Sequence, residues 1–580
     1  MSGAHLLSRL RQMIIAEAEA QRNELERQWS RPLSERVVKG WAIEGLKVTR
    51  YEGRNLYLSC ETNESRFREG DLVLIHRGDP HNEEQALHCE ILYDGETNLE
   101  LSLIRGNETL LNAYPSGWVL DQDIFDASPF YLDALNLAGD TLRGRERIIP
   151  LLQGKIHPKL DYARYERACK DLETTNLNDS QIEAIAHAYA TDLYHLIQGP
   201  PGSGKTLMLA HLAKLLVRDG LRVLITALTH RAIENALNKV VQVDPAIAVC
   251  KIGPPRVMED LSVPNFEYFE QSPFAEISGG YVIGATPFAH QTRRLSEVEF
   301  DVVLFDEASQ ITLPLAIMGM LAGTKYIFIG DENQLPPVTV FSSEEIAKSS
   351  IFSFLRGRGQ DTMLEITYRL NDELTAWPSQ TFYQNRLKPS ETAAPRRLSL
   401  SPEETRWDFV LDPSTPAVFL DLRITNTTVR NRTEAEVVTE LTLSLLMKGI
   451  APDEIGVVVP YRAQSRLIRS LFRQIIGEEE IVKKLVVDTV ERMQGQEREV
   501  VMLSFTTSNP FFAAQVADFL LQPQRLNVAV TRPRTKLILL GSYRLLDVEQ
   551  VDPAYQEAVK LLRSLLASCR TIVLPSGYLV

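Results

Sequence analysis

The spacing of apolar residues changes along the chain, and each change predicts a different kind of element. Between Ala4 and Trp29, apolar positions recur every three to four residues among charged ones, which predicts a long, partly exposed helix. Between Val37 and Leu103 the pattern becomes an alternation broken by turn-forming runs, which predicts a small antiparallel sheet or barrel. Helical spacing returns between Tyr131 and Leu152. The alternating segments are Leu46–Tyr51, Asn55–Ser59, Asp71–Ile75 and Leu99–Leu103.

Two longer regions alternate continuous apolar runs with helical patterns. The first extends from Leu177 to Val340 and the second from Ser350 to Val548. Continuous apolar strands joined by helices are typical of parallel sheets covered on both faces, so we expect two α/β cores. The predicted strands are Leu193–Ile197, Arg222–Ala227, Tyr281–Ala285, Asp301–Phe305 and Tyr326–Ile329 in the first core, and Ala417–Leu422, Ile455–Val459, Val500–Phe505 and Lys536–Leu540 in the second.

These patterns divide the chain into several parts, as expected for a length of 580 residues, which is too long for one core. The second core has no glycine-rich phosphate loop of its own, so we expect it to supply residues across a cleft to the first. The predicted parts are an N-terminal stalk helix at 1–36, a small β-barrel at 37–125, return helices at 126–175, the first core at 176–345 and the second core at 346–580.

Composition and charge narrow the class of protein. The formal net charge of −14 argues against a protein coated by nucleic acid or lying on an anionic membrane. It permits a strand held in one groove, because only local charges act within a Debye length. The longest apolar run, Ile311–Gly323, is too short to span a bilayer. The five cysteines form no CxxC pair and no signal-peptide core begins the chain, so we expect no zinc site, no disulfide framework and a reducing cytoplasm.

One glycine-rich segment predicts a phosphate-binding loop. Gln198-Gly-Pro-Pro-Gly-Ser-Gly-Lys-Thr206 lies between an apolar strand and a helical pattern, and its glycines permit a tight turn whose N–H groups point at a polyphosphate. Lys205 would bring its charge to the β- and γ-phosphates, and the Thr206 hydroxyl would ligate Mg²⁺. The following helix adds its positive N-terminal end. The remaining predicted nucleotide-binding positions of the loop are Gly199, Gly202, Ser203 and Gly204.

Two further segments place polar groups after buried strands. Val302-Val-Leu-Phe-Asp306-Glu307-Ala-Ser-Gln310 puts two carboxylates at the carboxyl end of a strand, where ligands bind in open α/β sheets. Asp306 would hold Mg²⁺, and Glu307 would orient and deprotonate the attacking water. In Phe328-Ile-Gly-Asp-Glu-Asn-Gln334-Leu-Pro-Pro337, the uncharged Gln334 would sense whether a γ-phosphate is present.

Together these segments resemble superfamily 1 helicases. The runs Asp306–Gln310 and Gly330–Pro337 are typical of the branch that contains the nonsense-mediated-decay helicase, the immunoglobulin-mu-binding helicase and the helicase part of the replication helicase–nuclease. The resemblance implies two tandem RecA-like cores with an N-terminal helix–barrel–helix region, ATP and Mg²⁺ as cofactors, and Gln310 at the nucleotide. The run Leu177-Asn-Asp-Ser-Gln181 matches the adenine-reading segment of the family and implies paired hydrogen bonds from Gln181 to the adenine edge.

The second core carries the remaining family motifs. Tyr368 and Arg369 match a Tyr-Arg pair, which implies that the tyrosine stacks on adenine and the arginine reaches the γ-phosphate. Asn431-Arg-Thr-Glu434 indicates a helix start with its glutamate at or near N3. The run from Thr489 to Glu497 matches the segment that couples the two ligands, and implies a nucleotide contact for Glu497. Leu526-Asn-Val-Ala-Val-Thr-Arg532 matches the last motif, which implies that Arg532 is a second arginine finger.

The chain departs from the family pattern at four places. Asn371 stands where Tyr-Arg-Met-His has histidine, and Glu491 stands where the family usually has aspartate. Pro533 follows Arg532 in place of alanine and restricts the backbone before it, so the approach of the finger is in doubt. The accessory insertion of the first core is short and confined to 240–280, and no nuclease signature is attached.

The positions of the motifs also predict which residues contact a nucleic-acid strand. Hydroxyl and backbone N–H groups would hold phosphates without reading sequence, and aromatic rings would add stacking. The barrel could grip a strand or brace the first core, and the sequence leaves both roles open. The predicted strand contacts are Thr229, His230, Thr286, Pro287 and Pro337 in the first core and Pro460, Tyr461 and Thr489 in the second, with the pair Arg293-Arg294 as a weaker choice.

The expected function is an ATP-dependent helicase or translocase that moves on single strands, with 5′→3′ movement implied only by the resemblance. An ATP-gated clamp or remodeller that binds strands without separating them is the alternative, and a strand-independent ATPase acting on proteins is a weaker one. The sequence leaves DNA or RNA open. We expect a monomer without membrane association, and the sequence identifies no protein partner.

Overall fold

The computed structural model describes residues 3–61, 63, 65–67, 70–95, 97–254, 261–277, 279–340, 349–358 and 361–574. The chain divides into two compact units. The smaller unit comprises Ser8–Asp133 with Thr339–Ala347, and the larger one comprises Met1–Leu7, Ala134–Val338 and Lys348–Val580. The predicted boundary between the two cores, at 345/346, lies outside the described residues.

The smaller unit contains a closed barrel of six antiparallel strands in the order β1-β2-β5-β4-β3-β6. Inward-facing residues such as Leu56, Leu58, Leu101 and Trp118 fill its interior. The sequence pattern indicated four of the strands. It missed β4, where Cys89 takes one of the inward positions, and β6, which carries a continuous apolar run of only three residues. The strands are β1 Ala42–Glu52, β2 Asn55–Ser59, β3 Leu72–His76, β4 Ala86–Asp94, β5 Asn98–Gly106 and β6 Ser116–Gln122.

The larger unit contains an eight-stranded sheet in the order β10-β9-β11-β8-β12-β13-β7-β14, and every strand pair in it is parallel. Its central strands are fully buried because helices cover both faces. We call the residues around this sheet the first core. Its strands are β7 Tyr194–Gln198, β8 Arg222–Thr226, β9 Val249–Ile252, β10 Asn265–Phe266, β11 Tyr281–Gly284, β12 Phe300–Phe305, β13 Gly323–Gly330 and β14 Asp361–Met363.

A second parallel sheet of the same unit has six strands in the order β19-β18-β20-β21-β17-β22. We call the residues around it the second core. The two sheets confirm the predicted pair of α/β cores. A separate two-stranded ribbon, β15 Ile366–Thr367 with β16 Lys388–Pro389, lies between them in the chain. The strands of the second sheet are β17 Ala417–Asp421, β18 Ile455–Val459, β19 Val486–Thr489, β20 Arg498–Ser504, β21 Pro533–Gly541 and β22 Arg570–Val573.

The strand β14 corrects the predicted extent of the first core. Asp361–Met363 pairs in parallel with β7, so the first sheet continues past residue 345, where the prediction ended it. A three-residue strand carries too short an apolar run to be recognised from sequence alone, because register and pairing, rather than local pattern, place it.

The helices connect these strands, and the predicted N-terminal helix is present as Gly3–Trp29. None of the described helices combines the length and the apolar composition that crossing a bilayer requires. The other α-helices up to the second core are Leu33–Val38, Thr109–Ala113, Ser128–Asp140, Ile149–Leu152, Tyr162–Leu172, Asp179–Ala190, Lys205–Arg218, His230–Val243, Pro287–His290, Leu313–Met320 and Ile351–Leu355. Those that follow are Asp372–Phe382, Asp408–Leu411, Arg432–Met447, Arg462–Ile476, Glu479–Lys484, Val490–Met493, Pro510–Gln515, Ala517–Leu520, Pro523–Val530, Val548–Val551 and Gln556–Ala567.

A buried acid stabilises the start of one of these helices. Asn431 is the N-cap of Arg432–Met447, and Glu434 occupies N3 as predicted. The Glu434 carboxylate accepts hydrogen bonds from Asn431 Nδ2 at 2.8 Å, Ser504 Oγ at 2.5 Å and Thr506 N–H at 2.8 Å. Full burial outweighs these hydrogen bonds and raises the pKa of Glu434 to about 7.

Replacing Glu434 by glutamine should remove a pH dependence of stability. The folded protein keeps the Glu434 proton up to a pKa of about 7, whereas an ordinary carboxyl loses it near 4.5. The wild type therefore loses stability as the pH rises through this interval, by up to about 3 kcal/mol. The difference between the thermal unfolding midpoints of E434Q and wild type should increase as the pH rises from about 4.5 to about 7, and should then stay constant. Glu436→Gln, which removes a surface carboxylate paired with Arg432 on the same helix, is the control. A difference between E434Q and wild type that stays constant with pH would contradict this expectation.

Candidate functional site

The glycine-rich segment forms a tight loop between β7 and the helix Lys205–Arg218. Gly202 and Gly204 have φ values of +70° and +78°, in the left-handed region that favours glycine. The Ser203 hydroxyl donates to the Pro200 carbonyl at 2.7 Å and fixes the turn from within. The Lys205 ammonium donates to the Gly199 carbonyl at 2.6 Å, so it lies across the mouth of the loop. A loop of this shape, followed by a helix N-terminus, is suited to an anion.

The predicted acidic pair lies on the neighbouring part of the same sheet edge. β7, β13 and β12 are consecutive in the sheet, so the residues that follow them lie side by side. Asp306 is buried and its Oδ1 accepts the Glu307 N–H at 3.0 Å. Burial, reinforced by the Glu307 charge and opposed by Lys205, raises the pKa of Asp306 to about 7. Glu307 has a φ of 50°, a strained backbone for a residue with a side chain.

These residues fit a magnesium ion held together with phosphates. Asp306 offers a buried oxygen whose charge burial disfavours, and a divalent cation would offset that charge. Thr206 starts the helix beside Lys205 and offers a hydroxyl oxygen. Mg²⁺ prefers oxygen ligands and usually takes one or two from the protein, leaving the others to phosphates and water.

Two glutamines were predicted at the nucleotide, Gln334 at the γ-phosphate and Gln310 elsewhere on it, and they differ in their surroundings. Gln334 is buried and its Nε2 donates to Asp331 Oδ2 at 2.9 Å. Gln310 ends the short 3₁₀ turn after Glu307, and its N–H donates to the Glu307 carbonyl at 2.9 Å. The structure thus places both on loops that follow adjacent strands, β13 and β12.

Both predicted arginine fingers are buried in the second core. Arg369 Nε donates to Glu497 Oε2 at 2.7 Å, and its Nη1 donates to the Thr531 carbonyl at 3.0 Å. Arg532 donates from Nε to the Val528 carbonyl at 2.8 Å. Burial, together with the charge of Arg369, lowers the pKa of Arg532, while Glu307 of the first core opposes that shift. Among the described residues Arg532 has no ion-pair partner, so its positive charge is left for an incoming anion.

Glu497 lies between two guanidiniums. Burial would raise its pKa, but Arg369 and then Arg534 outweigh burial and lower it. Glu497 therefore stays ionised and orients Arg369. In this structure Glu497 holds Arg369, and the nucleotide contact predicted for Glu497 stays a prediction.

The second core contacts the phosphate loop directly. The Tyr368 N–H donates to the Gly202 carbonyl at 2.8 Å, and Thr367 Oγ1 donates to the Pro201 carbonyl at 2.9 Å. A Cβ atom on Gly202 would lie 2.5 Å from the Cβ atom of Arg369. The structure thus brings the loop, the acidic pair and both arginines to one cleft between the cores.

The two side chains predicted to contact adenine, Tyr368 and Gln181, differ in exposure and in hydrogen bonding. Tyr368 is 38% exposed, and its hydroxyl accepts a hydrogen bond from Asn178 Nδ2 at 2.8 Å. Gln181 is held by the protein on both sides of its amide: its Oε1 accepts the Asn178 N–H at 3.1 Å and its Nε2 donates to the Ser203 carbonyl at 3.0 Å. Each of these two atoms has a second hydrogen-bonding position, and the paired contact of Gln181 with adenine stays a prediction.

The three departures in the second core each have a structural role. Asn371 caps the helix Asp372–Phe382, and its Nδ2 also donates to the Arg396 carbonyl at 3.1 Å. Glu491 accepts a hydrogen bond from Arg525. Pro533 is buried and begins β21, directly after the finger. The Arg532 guanidinium is hydrogen-bonded within the second core, and the charges of Arg369 and Glu307 both act on its pKa.

The predicted strand contacts divide by exposure. Thr229 is exposed and caps the helix His230–Val243, and Thr286 precedes Pro287–His290, so both follow adjacent strands, β8 and β11. His230, Thr286 and Pro337 are half-buried, with Pro337 on the loop after β13. By contrast, Pro460 and Thr489 are buried in this conformation. Of the weaker choices, Arg293 lies over the Tyr268 ring at 5.4 Å and Arg294 pairs with Glu267 at 3.8 Å.

Tyr461 belongs to an aromatic cluster that the sequence did not indicate. Its ring lies 6.0 Å from Phe519 and 6.4 Å from Phe512, and its hydroxyl accepts from Thr507 Oγ1 at 3.1 Å. Arg525 lies over the Phe519 ring at 3.7 Å. The cluster joins residues more than fifty positions apart, which no local pattern reveals.

Comparisons with known proteins agree with these motifs. Family models described as AAA domains match residues 181–340 and 347–544. The DNA replication ATP-dependent helicase/nuclease DNA2 of Saccharomyces cerevisiae is 29% identical over 401 residues, covering 63% of this chain and 26% of its own length. The regulator of nonsense transcripts 1 homolog of Drosophila melanogaster is 30% identical over 424 residues, covering 65% of this chain and 35% of its own.

A third relative matches over most of both chains. An uncharacterised ATP-dependent helicase of Methanocaldococcus jannaschii is 26% identical over 597 residues and covers 85% of each protein. The chain spans only about a quarter of the yeast relative and about a third of the fly relative. The motifs, the paired α/β cores and these relatives confirm the resemblance seen in the sequence: the chain belongs to the superfamily 1 helicases, in the branch that includes the nonsense-mediated-decay helicase and the replication helicase–nuclease.

Proposed function

We propose that this protein is an ATP-dependent helicase or translocase that moves on single-stranded nucleic acid. One observation carries the proposal: two buried arginines of the second core, Arg369 and Arg532, lie at the cleft that the phosphate loop and Glu307 of the first core form. Such an arrangement makes ATP hydrolysis depend on how closely the cores approach, and approach and separation can be converted into movement along a strand.

Each residue of the cleft has a role in this proposal. The loop N–H groups and Lys205 bind the phosphates, and Thr206 with Asp306 would hold Mg²⁺, which would neutralise charge that develops on the phosphate oxygens. Glu307 orients the attacking water and accepts its proton. Gln334 contacts the γ-phosphate, and Arg369 and Arg532 stabilise the charge of the transition state. Tyr368 stacks on adenine, and Gln181 makes paired hydrogen bonds to the adenine edge with the second hydrogen-bonding positions of its amide.

The strand is proposed to lie across the carboxyl ends of β8 and β11 and the facing loops of the second core. Thr229, His230, Thr286 and Pro337 would hold it on one side, and Pro460, Tyr461 and Thr489 on the other once movement exposes them. We propose 5′→3′ movement by analogy with the branch. We further propose a monomer working in the cytoplasm; no disulfide joins the five cysteines, all of which the structure describes.

Removing the charge of the loop lysine or the proposed base should abolish strand-stimulated hydrolysis. Lys205→Ala should weaken phosphate binding, and Glu307→Gln should leave binding intact but lower kcat by at least about 100-fold, because only the latter acts on the attacking water. Steady-state ATPase assays with and without a single-stranded oligomer measure both effects. Strand-stimulated turnover that survives in either variant would rule out this mechanism.

Arg532→Ala should lower kcat by about 10³-fold or more while ATP binding is retained, because an arginine finger acts on the transition state. Arg544→Ala is a suitable control, since Arg544 is exposed in the same core and forms a surface ion pair with Asp547. Nucleotide affinity is measured by titration of a fluorescent, non-hydrolysable ATP analogue. If both alanine variants hydrolyse ATP at the wild-type rate, Arg532 is not a finger.

Strand separation distinguishes a helicase from an ATP-gated clamp. On a duplex with a 5′ single-stranded tail, the proposed helicase should release the complementary strand in the presence of ATP, and a 3′-tailed duplex should serve poorly. Tails of DNA and RNA of one sequence identify the preferred strand. Strand-stimulated ATPase activity without release from either duplex would support the clamp, and an ATPase that no strand stimulates would contradict both.

A further inference from the structure

A chain of buried hydrogen bonds joins the first core, beside the start of the phosphate loop, to the second core. It begins at Asp331, which directly follows β13 and is fully buried. Asp331 Oδ2 accepts hydrogen bonds from Gln334 Nε2 at 2.9 Å and from the Tyr383 hydroxyl at 2.7 Å. Its Oδ1 accepts from Gln198 Nε2 at 3.3 Å, at the start of the phosphate loop. One carboxylate therefore holds the proposed γ-phosphate sensor and a side chain of the second core.

Tyr383 is the link on the side of the second core. It directly follows the helix Asp372–Phe382 and is buried, and its oxygen accepts a hydrogen bond from Asn527 Nδ2 at 2.9 Å. Burial, and then the Asp331 charge, raise the pKa of Tyr383 well above its ordinary value. The hydroxyl therefore stays protonated. It donates a hydrogen bond to Asp331 and accepts one from Asn527 through an oxygen lone pair.

Asn527 connects this link to the arginine finger. It lies in the helix Pro523–Val530, and its carbonyl accepts from Thr531 Oγ1 at 2.6 Å. Arg532 Nε bonds to the next carbonyl of the same helix, that of Val528. Asn527 Nδ2 also donates to the Asn333 carbonyl at 2.8 Å, so the helix is tied twice to the loop that carries Gln334. Its Oδ1 is buried without a partner among the described residues, so the donor side alone orients the amide.

We propose that Tyr383 is a positioning residue, whose hydroxyl couples the loop of Gln334 to the helix that presents Arg532. The conformation of the sensor loop then sets the position of the finger, so that the finger is correctly placed only when the loop has its nucleotide-bound form. This inference rests on the proposed function, since the finger matters only where ATP is hydrolysed. A buried network of this kind has few alternative arrangements, because each unpaired group would be costly.

The test is Tyr383→Phe in the full chain, which removes one hydroxyl and keeps the ring. The kcat of strand-stimulated ATP hydrolysis should fall about 10- to 100-fold, while the KM for ATP changes by less than about threefold, because the finger acts on the transition state and not on binding. Tyr326→Phe is the matched control: Tyr326 is equally buried, and its hydroxyl donates to the Gly323 carbonyl of its own strand at 2.9 Å. It should leave both constants unchanged.

A double variant separates positioning from a general loss of stability. In an Arg532→Ala background, Tyr383→Phe should lower kcat by no more than about twofold, because the group that it positions is gone. A loss as large as in the wild-type background would overturn the proposal. If thermal unfolding shows that Tyr383→Phe does not fold, Asn527→Leu replaces it, since Asn527→Leu removes the donor on the other side of the hydroxyl and should show the same kcat loss and the same non-additivity.

The outcomes also separate this inference from the proposed function. A wild type that strands stimulate, with Tyr383→Phe indistinguishable from it, overturns the role of Tyr383 and leaves the helicase proposal intact. A wild type that no strand stimulates overturns the proposed function, and the positioning role falls with it.

Discussion

The second core buries more positive charge at the cleft than it neutralises. Arg369 has Glu497 as a counter-charge, whereas Arg532, buried close by, donates to backbone carbonyls and to the Thr531 hydroxyl, which are uncharged. A buried guanidinium without an anion is unfavourable, because hydrogen bonds from carbonyls replace only part of the lost hydration. An anion bound in the phosphate loop would correct this imbalance, so the chemistry of the loop and the packing of the second core are parts of one electrostatic arrangement.

The first core has the opposite imbalance. Asp306 and Glu307 place two carboxylates side by side at the end of β12, and burial raises the pKa of the inner one. A metal ion and a phosphate together would satisfy both cores, while either alone would leave one charge uncompensated. This charge pattern supports the proposal that a nucleotide binds between the cores. The hydrogen bond from the Tyr368 N–H to the Gly202 carbonyl holds the second core against the loop.

The residues proposed for the nucleotide site could be predicted because they are consecutive or nearly so in the sequence. Contacts between residues that are distant in the chain could not be predicted. The loop could be predicted because its glycines, lysine and threonine are consecutive, and Asp306 because it ends an apolar strand. Tyr383 had no signal, since its partners Asp331 and Asn527 are 52 and 144 residues away. The hydrogen bonds of Gln181 within the protein were equally hard to predict. A capping box with Asn178 and an adenine contact place the same residue types at the same spacing.

The same reasoning applies to the fold. Long buried strands such as β12 and β21 were evident, but β9, β10, β14, β19 and β22 have two to four residues each, and only their pairing in the sheet defines them. Pro460 directly follows β18 and Thr489 ends β19, but the burial of both residues depends on neighbours that come from elsewhere in the chain.

The contacts of Gly202 with the second core restrict which residues this position of the loop can accept. Its carbonyl receives the Tyr368 N–H, and a methyl group on its Cα would collide with Arg369 and Thr367 Oγ1. Even alanine there would push the second core outward by roughly the width of the added carbon, and both guanidiniums would retreat with it. The absence of a side chain at this position therefore serves the fit between the two halves as much as the curvature of the loop, and a protein altered there could hold its nucleotide yet leave it intact.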